Sequence, residues 1–443
     1  MDNKFMRKQY SNFTLRSEFR YPIFVRLQTL SPQMLKQNKL PNKDKVSGFI
    51  KKNKTGTFLE LPNSVADRMI ERWTKESHKE DEDLYNEETW FAETWDGALK
   101  FTLRLCKYSS SSSSINNFHQ SKWEIEDFSI SSSFSLEKKV TKAGFDLDNA
   151  VNWFGINGAL SGFGQINSTK TSESEIFSDL RFENQTFSLT VLTGFSKQQT
   201  EISYEQNLST ILIVDFEKEQ TRSFTLELSS QIRNLLQIIT NQKIGINRFT
   251  LGMQKIGKPI SVNGSVIGYE RDDRRENWFI SNTFLPKEEK LINHEIRYSS
   301  IKKDFQTILE SWFTCTKIQV LAENYLNSSF YEVPVGTTLV MLISGIETFF
   351  AGEKYENSGS ELSAKGKLQH LIKLTPDWEN FFGDSYQAEM EEFSSFLIDN
   401  RVYRTHGTKR KRVVYIEREL IFPVKKLSNI LRKFILSQID IHF

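Results

Sequence analysis

The sequence has few cysteines and no long apolar run, and each shortage argues against a class of protein. Two cysteines among 443 residues, Cys106 and Cys315, are too few for a disulfide scaffold, and no cluster has metal-ligand spacing. No uninterrupted apolar stretch reaches the length of a membrane span, and the amino terminus lacks an apolar signal segment. We therefore expect a cytoplasmic protein with no metal, no cofactor and no membrane partner.

The chain also lacks a strong charge of one sign. It carries 58 Lys and Arg against 56 Asp and Glu, so its formal net charge is only +2. Proteins that coat nucleic acid indiscriminately are polycations, so any RNA site in this chain must be local. The length and a hydrophobic content of 38% suit two or three globular domains.

The first 296 residues are dominated by short alternating segments, which are typical of strands. We predict strands at residues 58–61, 100–105, 123–130, 187–191, 211–214, 224–228 and 261–269. A short buried helix over residues 232–240, capped by Ser230, interrupts them. The serines at 109–114 predict a flexible loop or linker, and the mixed charges at 271–276 predict an exposed turn. The expected architecture is a β sandwich or an irregular barrel.

From residue 297 onward the apolar spacing is that of helices with short breaks. We predict helices over residues 301–326, from Pro334 to Gly352, from a cap at Ser363 to Leu374, over 387–404, and over 413–439 with a kink at Pro423. The predicted fold class is α+β, with a β-rich domain at 1–296 and a helical bundle at 297–443.

One stretch of the helical part combines two residue types that suit RNA cleavage. Residues 399–407, Asp-Asn-Arg-Val-Tyr-Arg-Thr-His-Gly, place Arg401 five positions before His406. An imidazole exchanges a proton with a ribose 2′-hydroxyl near neutral pH, and a guanidinium holds the phosphate that the hydroxyl attacks. Five positions on a helix turn two side chains roughly 140° apart, so the pair does not share one face. Gly407 suits the left-handed cap that would end the helix at His406.

The same pair has a structural interpretation. His406 would cap a helix carboxyl end, and Arg401 would pair with a carboxylate of a neighbouring helix. The chain would then be a non-catalytic dimerisation or binding protein. A nucleotide-transferring bundle enzyme is a third class, but the sequence lacks the Gly-Ser and paired-aspartate arrangement that such an enzyme needs.

Residues around this pair extend the predicted site. We assign five cations to binding of the RNA backbone: Arg404, Lys409, Arg410, Lys411 and Arg412. Tyr403 is a candidate for stacking on a base or for the dimer interface. Asn400 and Glu347 are further supporting residues, because a carboxylate on an apolar helix face either orients the catalytic pair or holds the bundle through a buried hydrogen bond.

With these residues in view, the sequence resembles the HEPN superfamily of helical-bundle ribonucleases, and within it the ApeA-like anti-phage defence proteins. The segment from Arg401 to Gly407 is similar to the HEPN signature Arg-x4-His. Residues 342–349, Leu-Ile-Ser-Gly-Ile-Glu-Thr-Phe, are similar to the glutamate-bearing helix that precedes it. Residues 45–50, 56–61 and 151–156 resemble the β-rich domain that accompanies this type.

The resemblance implies a metal-independent endoribonuclease of an abortive-infection system. Two protomers would pair through the helical domain so that Arg401 and His406 converge on a composite site, with RNA as substrate and tRNA as one candidate. His406 would act as general base or acid and Arg401 would neutralise phosphoryl charge. The β-rich part would detect a phage-derived trigger or restrain the nuclease. The sequence departs from the family at Val402, where a polar residue is usual.

Overall fold

The computed structural model describes residues 13–26, 40, 45–62, 89–113, 119–131, 133–134, 139–148, 150–154, 172–199, 204–262, 265–280, 295–330, 332–355, 359–408, 410–414 and 416–442. Within these residues a twelve-stranded antiparallel sheet precedes a set of helices. This arrangement confirms the predicted α+β class with a β-rich amino-terminal part. No helix in the described part of the chain has the length and apolar character needed to cross a membrane.

The first six strands close into a barrel. They are β1 (Phe19–Arg26), β2 (Val46–Asn53), β3 (Gly56–Pro62), β4 (Trp90–Thr94), β5 (Lys100–Ser113) and β6 (His119–Ser131). Their order is β3-β2-β1-β4-β5-β6, and β3 also pairs with β6, which closes the ring. Alternate side chains point inward, where Trp90 and Trp123 pack edge to face with ring centroids 5.2 Å apart.

The remaining strands form an open extension of this barrel. In chain order the elements are β7 (Lys139–Leu147), α1 (Val151–Phe154), β8 (Ser172–Phe182), β9 (Gln185–Gln199), β10 (Tyr204–Thr221), α2 (Arg222–Thr240), β11 (Ile246–Val262) and β12 (Ser265–Ile280). The carboxyl-terminal half of β6 pairs with β12, and the order continues β12-β11-β7-β10-β9-β8. One face of β7 and β10 packs against α2.

The carboxyl-terminal part contains seven further α-helices within the described residues. They are α3 (Tyr298–Ile301), α4 (Phe305–Thr314), α5 (Thr316–Phe330), α6 (Val335–Phe349), α7 (Ala364–Leu374), α8 (Tyr386–His406) and α9 (Ile421–Ser437). Two 3₁₀ turns, Trp378–Phe381 and Glu417–Leu420, precede α8 and α9. Helices α5, α6, α7 and α9 pack on one another, and α8 lies against α6 and α7.

Aromatic side chains join the two parts of the molecule. Trp153 of α1 packs edge to face on Tyr298 of α3, and its indole N–H donates to the carbonyl of Ile296 at 2.8 Å. Phe305 of α4 packs against Phe177 of β8. One hydrophobic core therefore continues from the sheet into the helices. The predicted boundary at residue 296 falls between β12 and α3, and the division into two domains stays a prediction.

The predicted strand at 224–228 is wrong, because these residues belong to α2. Thr221, not Ser230, caps the helix, and its Oγ1 accepts a hydrogen bond from the N–H of Phe224 at 3.1 Å. The apolar-polar alternation suggested a strand, but the buried positions follow helical spacing: Thr225, Leu228, Ser229 and Ile232.

Three predictions of loops or strand boundaries in the β-rich part are also wrong. Serines 109–113 belong to β5, and all of them except Ser109, which lies at a register shift, pair with β6, since main-chain hydrogen bonds need no apolar side chain; Ser114 lies outside the described residues. Residues 261–269 span the end of β11 and the start of β12. The charged run at 271–276 lies in β12, where Glu276 is buried because Arg222 of α2 neutralises it at 2.6 Å.

The helices differ from prediction at their ends. The predicted helix over 301–326 is interrupted at Cys315, and α5 continues through Asn327 to Phe330. The last helix begins at Ile421 rather than 413, so Pro423 lies in its first turn, where a missing N–H costs no hydrogen bond. The predicted start at Pro334 and the cap by Ser363, whose Oγ accepts from Gly366 N at 3.1 Å, are confirmed.

Candidate functional site

The motif lies at the carboxyl end of α8. The buried face of α8 is formed by Met390, Ser394, Leu397, Ile398 and Asn400. The helix ends at His406 because Gly407 adopts a left-handed conformation with φ 69°, and its N–H donates to the carbonyl of Tyr403 at 2.8 Å. The predicted cap is therefore confirmed. Val402 packs against the core, which accounts for an apolar residue at that position.

Arg401 is oriented by a carboxylate from the neighbouring helix. Its Nη2 donates to Oε2 of Glu347 in α6 at 2.6 Å, and the two side chains are 19% and 25% exposed. The Nε of Arg401 is buried and has no hydrogen-bond partner in the described part of the chain. A charged hydrogen bond of this length fixes the guanidinium more firmly than an exposed pair would. The sequence-predicted supporting residue Glu347 thus contacts Arg401.

His406 stands free at the end of the helix. It is exposed, and within the described residues its side chain forms no hydrogen bond and no ion pair. Neither Arg401 nor Glu347 contacts it by a hydrogen bond. Within one protomer, Arg401 is therefore held in place and the imidazole of His406 is exposed to solvent. The two side chains lie on different sides of the same helix.

Asn400 anchors the loop that follows the motif. Its side chain is fully buried, and its Nδ2 donates to the carbonyls of Phe396 and Arg412, each at 2.9 Å. Its Oδ1 accepts from the N–H of Val414 at 2.9 Å. All these bonds are local to α8 and residues 412–414, so Asn400 positions the basic loop rather than a substrate.

The basic loop is drawn toward α8 by a residue that the sequence analysis missed. Asp399 accepts from Nη1 of Arg410 at 3.4 Å, and Nη1 of Arg412 lies 3.7 Å from its other oxygen. Both arginines and Lys411 are exposed, while Lys409 lies outside the described residues. The sequence signal for this contact was an acidic residue next to the motif, together with the run of cations that follows it.

Arg404 and Tyr403 are less accessible than the loop cations. Both are half-buried. The Arg404 side chain lies so close to Gly336 of α6 that a Cβ there would overlap it, and Glu417 Oε1 would be 3.1 Å from the same Cβ. Its Nη1 also lies 3.4 Å from Asn400 Oδ1. Arg404 therefore packs where α6, α8 and the second 3₁₀ turn meet.

An exposed apolar patch adjoins this junction. Ile416, Ile421 and Phe422 are 60%, 44% and 82% exposed, and they flank the 3₁₀ turn that carries Glu417. We call these three residues the Phe422 patch. Exposed large apolar side chains within one short segment make that segment a candidate contact site.

The β-rich part is the region that matches a known family. The model of the ApeA N-terminal domain 1 matches residues 35–312, well over half of the chain. The matched segment ends within α4, so Glu347, Arg401 and His406 lie beyond it. No curated protein and no solved structure matches this chain. In the described residues, no group of three or more His, Cys, Asp or Glu side chains is placed to hold a metal ion.

Proposed function

The chain belongs to the ApeA family of anti-phage defence proteins, and from this premise we propose that it is a HEPN-type endoribonuclease whose catalytic residues are Arg401 and His406. The proposal rests on one observation: α8 carries both Arg401, which a hydrogen bond to Glu347 holds in place, and His406, which is exposed at the end of the helix. Both features suit catalysis, because the guanidinium is held in place and the imidazole is accessible to a substrate.

The proposed reaction uses the substrate's own nucleophile. His406 removes the proton of a ribose 2′-hydroxyl, the oxygen attacks the adjacent phosphorus, and the bond to the 5′ oxygen of the next nucleotide breaks. An imidazolium returns a proton to that leaving oxygen. The products are a 2′,3′-cyclic phosphate and a 5′-hydroxyl. Arg401 stabilises the charge that accumulates on the phosphoryl oxygens. This route calls for no bound metal.

The site is completed by a second copy of the chain in this proposal. Arg401 and His406 project roughly 140° apart on α8, so one protomer alone does not aim both at one phosphate. The Phe422 patch lies next to the Arg404 junction, and burying it against a partner would bring two motif helices together. A homodimer through the helical part would thus place His406 of one copy near Arg401 of the other.

The substrate strand would run along the basic loop. Arg410, Lys411 and Arg412 are exposed cations a few residues from His406. Their attraction to the phosphate backbone is local, which suits a chain whose net charge is only +2. Asp399 restrains the two arginines without burying them.

The ion pair of Arg401 also supports a second candidate function. An arginine that is hydrogen-bonded to Glu347 is what a structural role would require, and the chain would then be a non-catalytic dimerisation or binding protein. The two candidates predict different effects of removing the His406 imidazole. A scaffold would keep its function, whereas a nuclease would lose its activity.

The first test is cleavage of total cellular RNA by the purified full chain in EDTA, followed by analysis of fragment ends. We expect cyclic-phosphate ends from the wild type and a loss of at least about 100-fold in rate for His406→Ala, as for removal of a general acid-base group. His442→Ala is the matched control, because His442 is another exposed histidine of the helical part.

The same variants in phage-infected cells test the proposal if the purified protein needs an activating signal. Cells protected by the wild type should lose protection with His406→Ala and keep it with His442→Ala. Equal cleavage by the wild type and His406→Ala would mean that the activity is a contaminant or lies elsewhere in the chain, whereas equal protection would favour the scaffold.

A further inference from the structure

The β-rich part contains a hollow that the proposed nuclease does not use. Its volume is about 320 Å³, at the lower end of the range of ligand pockets, roughly 300–1,000 Å³. It lies on the face of β7, β10 and β11 that points away from the core. On β7, Gly144 stands opposite Ile213 of β10 and Thr250 of β11. Because glycine has no side chain, the sheet surface is recessed between these two neighbours. We call this depression the Gly144 hollow.

One end of the hollow holds two charged groups that do not satisfy each other. Asp146 and Arg248 are opposite residues on adjacent strands, yet they form no ion pair. The Nε of Arg248 is buried without a hydrogen-bond partner in the described part of the chain. Burial raises the pKa of Asp146, and the positive charge of Arg248 opposes this rise. Both residues line the hollow, and neither side chain has a hydrogen-bond partner in the described part of the chain, so their polar ends remain available to a ligand there.

The other side of the hollow is aliphatic. Ile211 and Ile213 of β10 and Leu192 of β9 line it. A ligand must therefore combine an apolar group with a polar group that accepts from Arg248 and donates to Asp146. A simple anion would be repelled by Asp146 and a simple cation by Arg248, while Lys142 of the same lining is already paired with Asp215 at 2.8 Å. An amide offers both a carbonyl and an N–H, and a glycine floor lets a main chain approach closely.

We propose that the Gly144 hollow binds an extended peptide segment with an aliphatic side chain. The peptide carbonyl accepts from Arg248, its N–H donates to Asp146, and the side chain lies against Ile211 and Ile213. Strands β7 and β10 of the floor contact α2 on their opposite face, so the sheet separates the occupied site from the helix that packs against α5 and α9. The proposal does not depend on the nuclease activity.

The test is affinity selection of a library of N-acetylated, C-amidated tripeptides on the full chain, with retained peptides identified by mass spectrometry. We expect peptides with central Leu, Ile or Val to be retained about tenfold better by the wild type than by Gly144→Val. A Cβ at position 144 would be 4.0 Å from its nearest neighbours, so this variant fills the hollow without distorting the strand. Thr190→Val, opposite Ile213 on β9, is the control and should behave as wild type.

Two further comparisons test the polar contacts. The best peptide should lose about tenfold in retention when its central nitrogen is methylated, and similarly on Arg248→Met. No enrichment by the wild type, equal retention by Gly144→Val, or unchanged retention of the methylated peptide would overturn the proposal. Because binding is measured directly, failure here is separate from failure of the nuclease assay.

Discussion

Asn400 shows how a residue without chemistry of its own can support the candidate site. It uses both ends of its amide to tie residues 412–414 to α8, and no water reaches it. The loop it holds carries the cations proposed to bind RNA. Removing the Asn400 side chain would therefore loosen the basic loop without changing the residues Arg401 and His406 themselves.

We expect Asn400→Ala to lower the free energy of unfolding by about 2 kcal/mol, because buried main-chain groups lose their partners. RNA cleavage should weaken, and the N–H of Val414 should exchange faster with solvent. Asn324→Ala is the matched control, since within the described residues the Asn324 amide donates to a carbonyl four residues earlier in its own helix and to no other group. Hydrogen exchange with urea denaturation measures both effects. Unchanged exchange at Val414 would show that the loop is held by other contacts.

A second residue-scale prediction concerns Glu93 in the barrel. This buried carboxylate pairs with Lys100 and, at 2.9 Å, with Lys45. Burial would raise its pKa, but the hydrogen bonds from Lys100 and Lys45 outweigh that effect and lower the pKa below its ordinary value of 4.5. The pair therefore stabilises the fold above about pH 4.5, and the contribution is lost as pH falls through the lower folded-state pKa.

Glu93→Gln should reduce the free energy of unfolding at pH 7 by about 3 kcal/mol, because it leaves the buried Lys100 and the half-buried Lys45 without their carboxylate. The difference from the wild type should shrink toward pH 3. Glu60→Gln, which breaks the exposed pair with Arg20, should cost less than about 1 kcal/mol. Urea denaturation across pH 3 to 8 measures both variants. A difference that does not change with pH would contradict the assigned pKa direction.

At the scale of elements, α2 is the link between sheet and helices. Arg432 of α9 reaches its carboxyl end, where Nε donates to the carbonyl of Ile238 at 2.9 Å and Nη2 to that of Ile239 at 3.0 Å. Nη1 donates to Glu295 at 2.6 Å. A buried cation at a helix carboxyl end satisfies carbonyls that have no partner within the helix.

Arg432→Met should therefore lower the free energy of unfolding by about 3 kcal/mol, since a side chain of similar length keeps the packing but removes three charged hydrogen bonds. Lys433→Met is the control on the same helix. Its partner Asp377 is exposed, so the loss of this pair should cost less than about 1 kcal/mol. Thermal and urea denaturation would measure the difference. Similar costs for the two variants would show that Arg432 does not cap α2.

The sequence predicted elements well where local signals agreed with tertiary contacts. Ser363, Pro334 and Gly407 each act within a few residues, so their effects were visible in the sequence. Residues 224–228 were misassigned to a strand because apolar and polar residues alternate there. The helix-capping residue Thr221, which is also visible in the sequence, indicated a helix instead. The Asn-Gly pair at 263–264 was an overlooked hairpin signal between β11 and β12.

Long-range pairs were not predictable in this way. The charged run at 271–276 lies in β12, where Glu276 is buried against Arg222, and nothing in the local sequence names that partner. The same limit applies to the site. Glu347 was recognised from its apolar helix, but its hydrogen bond to a residue 54 positions later required the packing of α6 on α8.

At the scale of the whole molecule, the proposed chemistry requires a second copy. The Phe422 patch is the surface proposed for that contact. We expect Phe422→Glu to convert a dimer into a monomer, because an apolar anchor at an interface would be replaced by a charge that burial disfavours. Cleavage should fall with the dimer. Leu374→Glu is the control, since Leu374 is 48% exposed at the end of α7 and away from the patch.

Sedimentation and RNA cleavage measured on the same samples separate assembly from chemistry. A Phe422→Glu protein that stays dimeric would place the interface elsewhere, and a fully active monomer would contradict the composite site. Mixing protomers adds the decisive comparison. Arg401→Ala and His406→Ala are each inactive in this scheme, but a mixed dimer retains one arginine and one histidine on opposite copies. Partial recovery of cleavage on mixing, abolished when both protomers also carry Phe422→Glu, is the result that only a site shared across the interface produces.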